Sequence, residues 1–120
     1  SEYHAGWMTT RLRTLVLRCT DIDRSQQFYS ALGLVFEFDQ HGDQPGHYAT
    51  ELDGVVLELY PVDATRSVSG PSFLQFDGPL YHELVSGELP KVLGRPRMGG
   101  EGLRLVDPDG RVVWMMPPKA

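Results

Sequence analysis

An internal repeat is the feature that most constrains the fold of this 120-residue chain. The segment 52–61, Leu-Asp-Gly-Val-Val-Leu-Glu-Leu-Tyr-Pro, returns at 108–117 as Pro-Asp-Gly-Arg-Val-Val-Trp-Met-Met-Pro. The offset between the two Asp-Gly pairs is 109 − 53 = 56, and the same offset carries residues 14–21 onto 70–77. Because a duplicated unit fixes the architecture of a whole chain, we expect two copies of one module, over about residues 12–61 and 70–117, with a polar linker at 62–69.

The first module is predicted to run strand, helix, strand and hairpin. Leu12–Cys19 is rich in β-formers, and Asp21 or Asp23 is suited to cap a helix that stops at Gly33. The second strand is predicted at Leu34–Phe38. A Gly- and Pro-rich loop then leads to a hairpin whose strands, His47–Leu52 and Val55–Tyr60, flank the turn pair Asp53-Gly54.

The second module is predicted to repeat this order, but the sequence signal for its middle strand is weaker. The sequence predicts a strand at Ser72–Asp77 and a short helix over about Leu80–Val85. Glu88–Gly100 contains two prolines and three glycines, so its strand is hard to place. The closing hairpin, Leu103–Val106 with Arg111–Met116, has an Asp-Pro-Asp-Gly turn that suits a three-residue loop with a bulge.

Composition and charge limit the class of protein. The length suits a single domain over residues 8–120, and residues 1–7 precede a natural-looking Met-Thr-Thr start, so we expect them to be a tag or a disordered extension. A net charge of −5 without a basic cluster argues against nucleic acid as a partner, and no apolar run is long enough to cross a membrane. The single cysteine, Cys19, is expected to be buried and inert, and it fits a cytoplasmic setting.

Alternation along the strands predicts two chemically different faces. Val55, Leu57 and Leu59 form an apolar row. The opposite row contains Val56, Glu58 and Tyr60, and a two-residue turn would place Ala49 opposite Glu58 and His47 opposite Tyr60. In the closing hairpin the corresponding row is Val112, Trp114 and Met116, with Arg104 opposite Trp114. Apolar walls with a few aimed polar groups are typical of a ligand pocket.

These residues resemble the vicinal oxygen chelate superfamily, which includes glyoxalase I, extradiol dioxygenases and bleomycin-resistance proteins. The resemblance rests on Asp21-x-x-x-Ser25-x-x-Phe28-Tyr29, on the strand end Glu58-Leu59-Tyr60-Pro61 and on the turn 107–110, and it covers nearly all of residues 12–117. It implies an α+β fold of two β-α-β-β-β modules that form a curled, open-sided mixed sheet around a pocket.

The resemblance also implies where a metal would bind. The family's four ligand positions correspond to Thr14, Glu58, Gly70 (or Pro71 or Ser72) and Trp114. Glu58 alone carries a donor suited to a divalent ion, and one carboxylate does not hold such an ion. We therefore expect no cofactor and no standard metal site, although an unusual divalent metal site made from His41, His47 and Glu58 stays open as an alternative.

Two functions follow from these residues. The first is a bleomycin-resistance-like protein that is not an enzyme and binds a small organic molecule without metal, with contacts from Tyr60, Arg104, Trp114, Met116, His41 and Thr14. The alternative is a lyase, isomerase or hydrolase in which Glu58 and His47 act as an acid–base pair. Glu58 would otherwise be a polar wall residue paired with Arg18 or Arg104. A homodimer is expected in either case, because curled sheets leave open edges.

Overall fold

The computed structural model describes residues 9–119, which form two similar halves. The first half comprises β1 (Thr14–Cys19), α1 (Ile22–Ala31), β2 (Glu37–Asp39), β3 (His47–Leu52) and β4 (Val55–Pro61). The second comprises β5 (Phe73–Asp77), α2 (Leu80–Ser86), a 3-10 turn (Lys91–Leu93), β6 (Arg97–Gly99), β7 (Gly102–Val106) and β8 (Val112–Met116). The α+β fold of two β-α-β-β-β modules is thus confirmed, whereas residues 1–7 lie outside the described part.

Each half contributes one mixed four-stranded sheet. The strand order is β1-β4-β3-β2 in the first sheet and β5-β8-β7-β6 in the second, and no barrel closes among the described residues. The first and last long strands of each module run parallel, and the other pairs are antiparallel. No helix within residues 9–119 is long and apolar enough to span a bilayer.

The two hairpin turns have the predicted geometry. Asp53 (φ 52°) and Gly54 (φ 90°) are both left-handed, as a type I′ turn requires, and Leu52 pairs with Val55. In the second hairpin Asp107 N donates to Arg111 O at 2.9 Å and Gly110 N donates to Asp107 O at 3.0 Å, which closes a three-residue loop with Gly110 at φ 91°. These turns fix the strand register, and hence which side chains share a face.

The first helix also begins and ends as predicted. The Asp21 carboxylate accepts hydrogen bonds from the backbone N–H groups of Asp23 and Arg24, both at 3.1 Å, so Asp21 and not Asp23 is the cap. Gly33, with φ 104°, takes the left-handed conformation just after the helix. The second helix extends one residue beyond its predicted end, to Ser86.

The predicted second strand is wrong in its bounds. The strand covers Glu37–Asp39, not Leu34–Phe38, because pairing with β3 begins only at Glu37, which lies opposite Ala49. Leu34 instead joins the core directly after α1. Asp39 therefore belongs to a strand and not to the following loop.

The repeat offset of 56 holds for the hairpins but is wrong for the first strand. In the first sheet Thr14 pairs with Val56, and in the second Phe73 pairs with the corresponding Val112. The first strands are thus offset by 73 − 14 = 59, so the counterpart of Thr14 is Phe73 and not Gly70, Pro71 or Ser72. Gly70 (φ 118°) lies before β5 and against Leu17, and the neighbouring Ser69 forms a bridge with Arg18.

The apolar faces of both sheets share one core with the helices. Its fully buried members come from both modules: Leu17, Cys19, Phe28, Tyr29, Leu59, Leu105, Val113 and Met115. Burial of such side chains contributes about 1.5–3 kcal/mol each relative to leaving them exposed. Because the core lies on this side of the sheets, the opposite faces are left for other chemistry.

A buried polar network ties the modules together. The hydroxyl of Tyr29 on α1 donates to Asp107 Oδ2 at 2.6 Å, and Arg111 Nη1 donates to the same oxygen at 3.0 Å. Arg111 Nη2 also donates to the backbone carbonyls of Arg18, at 2.8 Å, and Ser69. The turn of the second module is therefore bonded to both the helix and the first strand of the first module.

Candidate functional site

We define the mixed face of each sheet as the face turned away from the core. In the first sheet it carries Thr14, Val16, Arg18, Glu37, Asp39, His47, Ala49, Glu51, Val56, Glu58 and Tyr60, as strand alternation and register require. In the second it carries Phe73, Gln75, Arg97, Arg104, Val106, Val112, Trp114 and Met116. The predicted pairs Ala49–Glu58 and Arg104–Trp114 are confirmed.

Glu58 and His47 are in contact at the centre of the first mixed face. His47 Nε2 lies 3.3 Å from Glu58 Oε2. The side chain of His47 is only 7% exposed and that of Glu58 is 20% exposed, so the pair is largely shielded from bulk water. The Nδ1 nitrogen of His47 is buried and has no hydrogen-bond partner in the structure. The arrangement orients one carboxylate and leaves one imidazole nitrogen unsatisfied.

Tyr60 completes this group. Its ring stacks on His47 with centroids 4.2 Å apart and an interplanar angle of 9°, and its hydroxyl lies 3.3 Å from His47 Nε2. Burial and the negative charge of Glu58 raise the pKa of the Tyr60 phenol, although the nearby Arg18 guanidinium opposes them. The phenol is therefore protonated at neutral pH and remains a possible proton donor.

Arg18 does not pair with Glu58, contrary to one of the sequence-based interpretations. Its guanidinium lies 5.0 Å from the centroid of the Tyr60 ring, and Nη1 donates to Pro61 O at 3.1 Å. Arg104 lies on the other sheet and does not pair with Glu58 either. Within residues 9–119 the ionic partner of Glu58 is His47.

Asp39 is a neighbour of this group that the sequence analysis missed. Its Oδ2 lies 3.9 Å from His47 Nε2, and its Oδ1 lies 2.8 Å from Nε2 of His41, whose side chain is 79% exposed. The signal that identifies it is alternation: once Glu37 faces Ala49, Asp39 must face His47. His41 thus lies at the edge of the face and contacts Asp39.

The second mixed face carries the aromatic side chains Trp114 and Phe73. The ring of Trp114 lies over two glycines: a Cβ on Gly99 would lie 2.8 Å from its Cη2, and one on Gly102 would lie 2.9 Å from its Cε3. Only glycine permits so close an approach. Met116 follows on the same face, and Phe73, on the neighbouring strand, is 49% exposed.

Two cavities each lie on one sheet. One of about 330 Å³, beside Glu58, is lined by Val35, Glu37, Ala49, Thr50, Glu51 and Val56. Another of about 370 Å³ lies at the far edge of the second sheet and includes Arg104. Neither of these two cavities combines the two mixed faces, and neither is lined by Glu58 or Trp114.

The residues present do not fit the metal cage of the resembled superfamily. With the corrected register, the four positions are Thr14, Glu58, Phe73 and Trp114, and the cross-strand neighbours of Glu58 and Trp114 are Val16 and Gln75. Among residues 9–119, no group of three His, Cys, Asp or Glu side chains is placed to hold an ion. Thr14 itself lies exposed at the start of β1.

The comparisons with known proteins agree on the fold. No protein-family model and no curated sequence matches the chain. Among solved structures, glyoxalase I from Leishmania major matches with a TM-score of 0.64 and 19% identity over 91% of this chain and 87% of that one. A Bacillus subtilis protein of unknown function, described as a glyoxalase/fosfomycin-resistance candidate, matches with a TM-score of 0.62 and 18% identity over 91% and 90%. An integron cassette protein of V. cholerae matches with a TM-score of 0.58 and 20% identity over 92% and 97%.

Proposed function

We propose that this chain, which has the fold of the vicinal oxygen chelate superfamily, binds a small organic molecule on the first mixed face. The site is the space over Glu58, His47 and Tyr60, with the adjoining cavity of about 330 Å³. That volume lies at the lower end of the range for small-molecule pockets. The solved structures that support the fold are under 25% identical, so the proposal depends on the geometry of these residues.

The observation that carries the proposal is the unsatisfied nitrogen of His47. A buried polar atom without a partner costs about 1–3 kcal/mol, and such atoms are rare in native structures. Here the same ring is held in place by Glu58 and Tyr60, so it cannot turn its Nδ1 to water without breaking those contacts. A ligand that supplies a hydrogen-bonding group to this nitrogen would remove the cost.

The ligand is proposed to be held by side chains without a metal ion. Glu58 accepts hydrogen bonds, the protonated Tyr60 donates one, and the neighbouring Val16 and Val56 provide apolar contact. One carboxylate among Thr14, Phe73 and Trp114 does not provide the several donors that a divalent ion requires.

We further propose that the protein is a homodimer in which a second copy covers the exposed mixed faces. Phe73 (49% exposed) and Val106 (48% exposed) leave apolar surface open on the second face of the single chain. If the second mixed face of one copy covered the first mixed face of the other, a flat, apolar aromatic ring such as that of Trp114 would lie above Glu58. Aromatic or conjugated ligands would then stack against that ring.

The alternative proposal is acid–base catalysis by the same group. The 3.3 Å contact between His47 Nε2 and Glu58 Oε2 is the specific observation in its favour. In this version Glu58 takes a proton from the substrate, His47 orients it, and Tyr60 returns a proton. The reaction class would be that of a lyase, an isomerase or a hydrolase.

Glu58→Gln tests the proposal, with Glu88→Gln, an exposed carboxylate outside both mixed faces, as the matched control. A thermal-shift screen of neutral aromatic compounds is expected to find molecules that stabilise the unmodified chain and E88Q equally, because binding to the folded state raises Tm. E58Q is expected to bind them more weakly, or, in the enzyme version, to keep binding and lose about 10²–10⁴-fold in turnover.

Two further measurements complete the test. A stoichiometric divalent ion in the purified protein would contradict binding without a metal. Light scattering on the eluted protein is expected to give twice the mass of the chain, and a monomer at all concentrations would contradict the dimer. Ligands that bind E58Q and the unmodified chain equally would show that the site lies elsewhere.

A further inference from the structure

Three arginines meet at the far edge of the second sheet. The register places Arg97 of β6 directly opposite Arg104 of β7, on the mixed face. Arg95, just before β6, lines the same cavity of about 370 Å³ as these two residues. Like charges directly opposite one another on neighbouring strands destabilise a sheet. The arrangement therefore costs stability unless something compensates for it.

No carboxylate of the described part compensates for this charge. Within residues 9–119 the ion pairs join His41, His47, Asp39 and Glu58 on the first sheet, and Arg111, Asp107 and Asp109 at the module junction. None includes Arg95, Arg97 or Arg104, and no hydrogen bond from their guanidinium groups is present in that range. The chain carries a net charge of −5, so the lack of an acidic partner here is not a consequence of composition.

The cavity has the chemistry of an oxyanion site. The remaining walls are Leu93, Gly94, Leu105 and Val106, of which Val106 (48% exposed) presents apolar surface beside the three cations. Gly94 (φ 69°) turns the chain between the 3-10 turn and β6, and Arg95 follows this turn directly. Guanidinium groups bind carboxylate and phosphate through paired N–H donors, which makes arginine well suited to planar anion recognition.

We propose that this cavity binds an oxyanion, the phosphate or carboxylate group of a small molecule whose apolar part contacts the exposed side chain of Val106. The site belongs to the second sheet and does not involve Glu58, His47 or Tyr60. It therefore stands independently of the proposed function of the first mixed face. Arg97 and Arg104 provide the facing cations, and Arg95 adds a third positive charge to the same cavity.

Anion-dependent stability tests the proposal with inorganic phosphate and benzoate as probes. Ionic strength is held at about 0.15 M by replacing chloride, since screening alone changes surface electrostatics. The Tm of the unmodified chain is expected to rise in the presence of at least one probe. Arg97→Gln with Arg104→Gln is expected to bind that probe about tenfold or more weakly, because charge-assisted hydrogen bonds are lost.

The matched control is Arg13→Gln with Arg24→Gln, which removes the same charge from two exposed arginines elsewhere. This control is expected to keep the full response to the probe. A preference for phosphate identifies a phosphate ligand, and a preference for benzoate identifies a carboxylate on an apolar body. The R97Q/R104Q protein without probe is expected to be at least as stable as the unmodified chain, because the repulsion is gone.

Two results would overturn the proposal. One is an equal response of both double variants to both probes, which would be a general salt effect. The other is a loss of self-association in R97Q/R104Q without any change in anion binding. That outcome would indicate that these arginines form ion pairs with acidic residues of a second copy, such as Glu37 and Glu51. Failure of the Glu58 experiments leaves this test unaffected, since its variants and probes are different.

Discussion

Cys19 shows how the surroundings of one residue decide its chemistry. Its side chain is fully buried on the core face of β1. Burial raises the pKa of the thiol, although the nearby Ser25 hydroxyl and the charge of Arg111 oppose this effect. The thiolate is the reactive form of cysteine, and here it is disfavoured. The prediction of a buried cysteine is confirmed.

We predict that Cys19 does not react with a disulfide reagent at pH 8 while the protein is folded, and reacts fully in denaturant. The raised pKa also means that its contribution to stability is present below the unfolded thiol pKa of about 8.5 and is lost as the pH rises through the folded value. Absorbance of the released thiolate measures the reaction, and Cys19→Ser is the blank. Rapid labelling of the folded protein would contradict the buried position.

Residue identities predicted part of the candidate site. Alternation and a two-residue turn were enough to bring Glu58, His47 and Tyr60 together, because a sheet has a period of two. Asp39 could not be found in this way, since its strand has only three residues and follows a stretch that looks more β-like. The choice of His47, and not an arginine, as the partner of Glu58 depends on side-chain rotamers that no sequence pattern specifies.

At the scale of the elements, the β3–β4 turn determines where Glu58 points. Gly54 adopts φ 90°, a conformation that costs an L-residue about 1–2 kcal/mol. We predict that Gly54→Ala lowers the free energy of unfolding by about that amount, measured by urea denaturation. Gly78→Ala is the control, because its φ is ordinary and its added methyl group would meet only Met115, at 4.0 Å.

An equal loss in both glycine variants would show that the turn is not the cause. The hairpins were the most predictable elements because their turns have a strong local signal. Strands β2 and β6 were not, because each spans three residues and is stabilised by backbone pairing with a neighbour. The three-residue change of offset between β1 and β5 has no signal in either strand alone.

At the scale of the whole molecule, the Tyr29–Asp107–Arg111 network decides how the modules are joined. Tyr29 is fully buried, and its hydroxyl donates a 2.6 Å hydrogen bond to Asp107 of the second module. We predict that Tyr29→Phe lowers the free energy of unfolding by about 1.5–3 kcal/mol, the range for a hydrogen bond to a charged group. Tyr48→Phe is the matched control, since its hydroxyl also donates to a carboxylate, Asp23 Oδ1, at 2.6 Å, but in an exposed position.

Y48F is expected to lose far less stability in the same denaturation experiment, because water replaces the lost partner there. Equal effects would show that the junction contributes no more than a surface contact. The duplication itself was predictable from the repeat, and the fold follows from it. The junction was not, because Tyr29 and Asp107 are 78 residues apart and neither shows a pattern that indicates the other.

The division between core faces and mixed faces has a consequence for the evolution of such chains. The sheets are held together by the apolar side, so replacements on the other side change reactivity at little cost in architecture. Val16 and Gln75 already stand next to Glu58 and Trp114 across their strands. Exchanges at these two places would therefore change the chemistry of each face while the scaffold stayed the same.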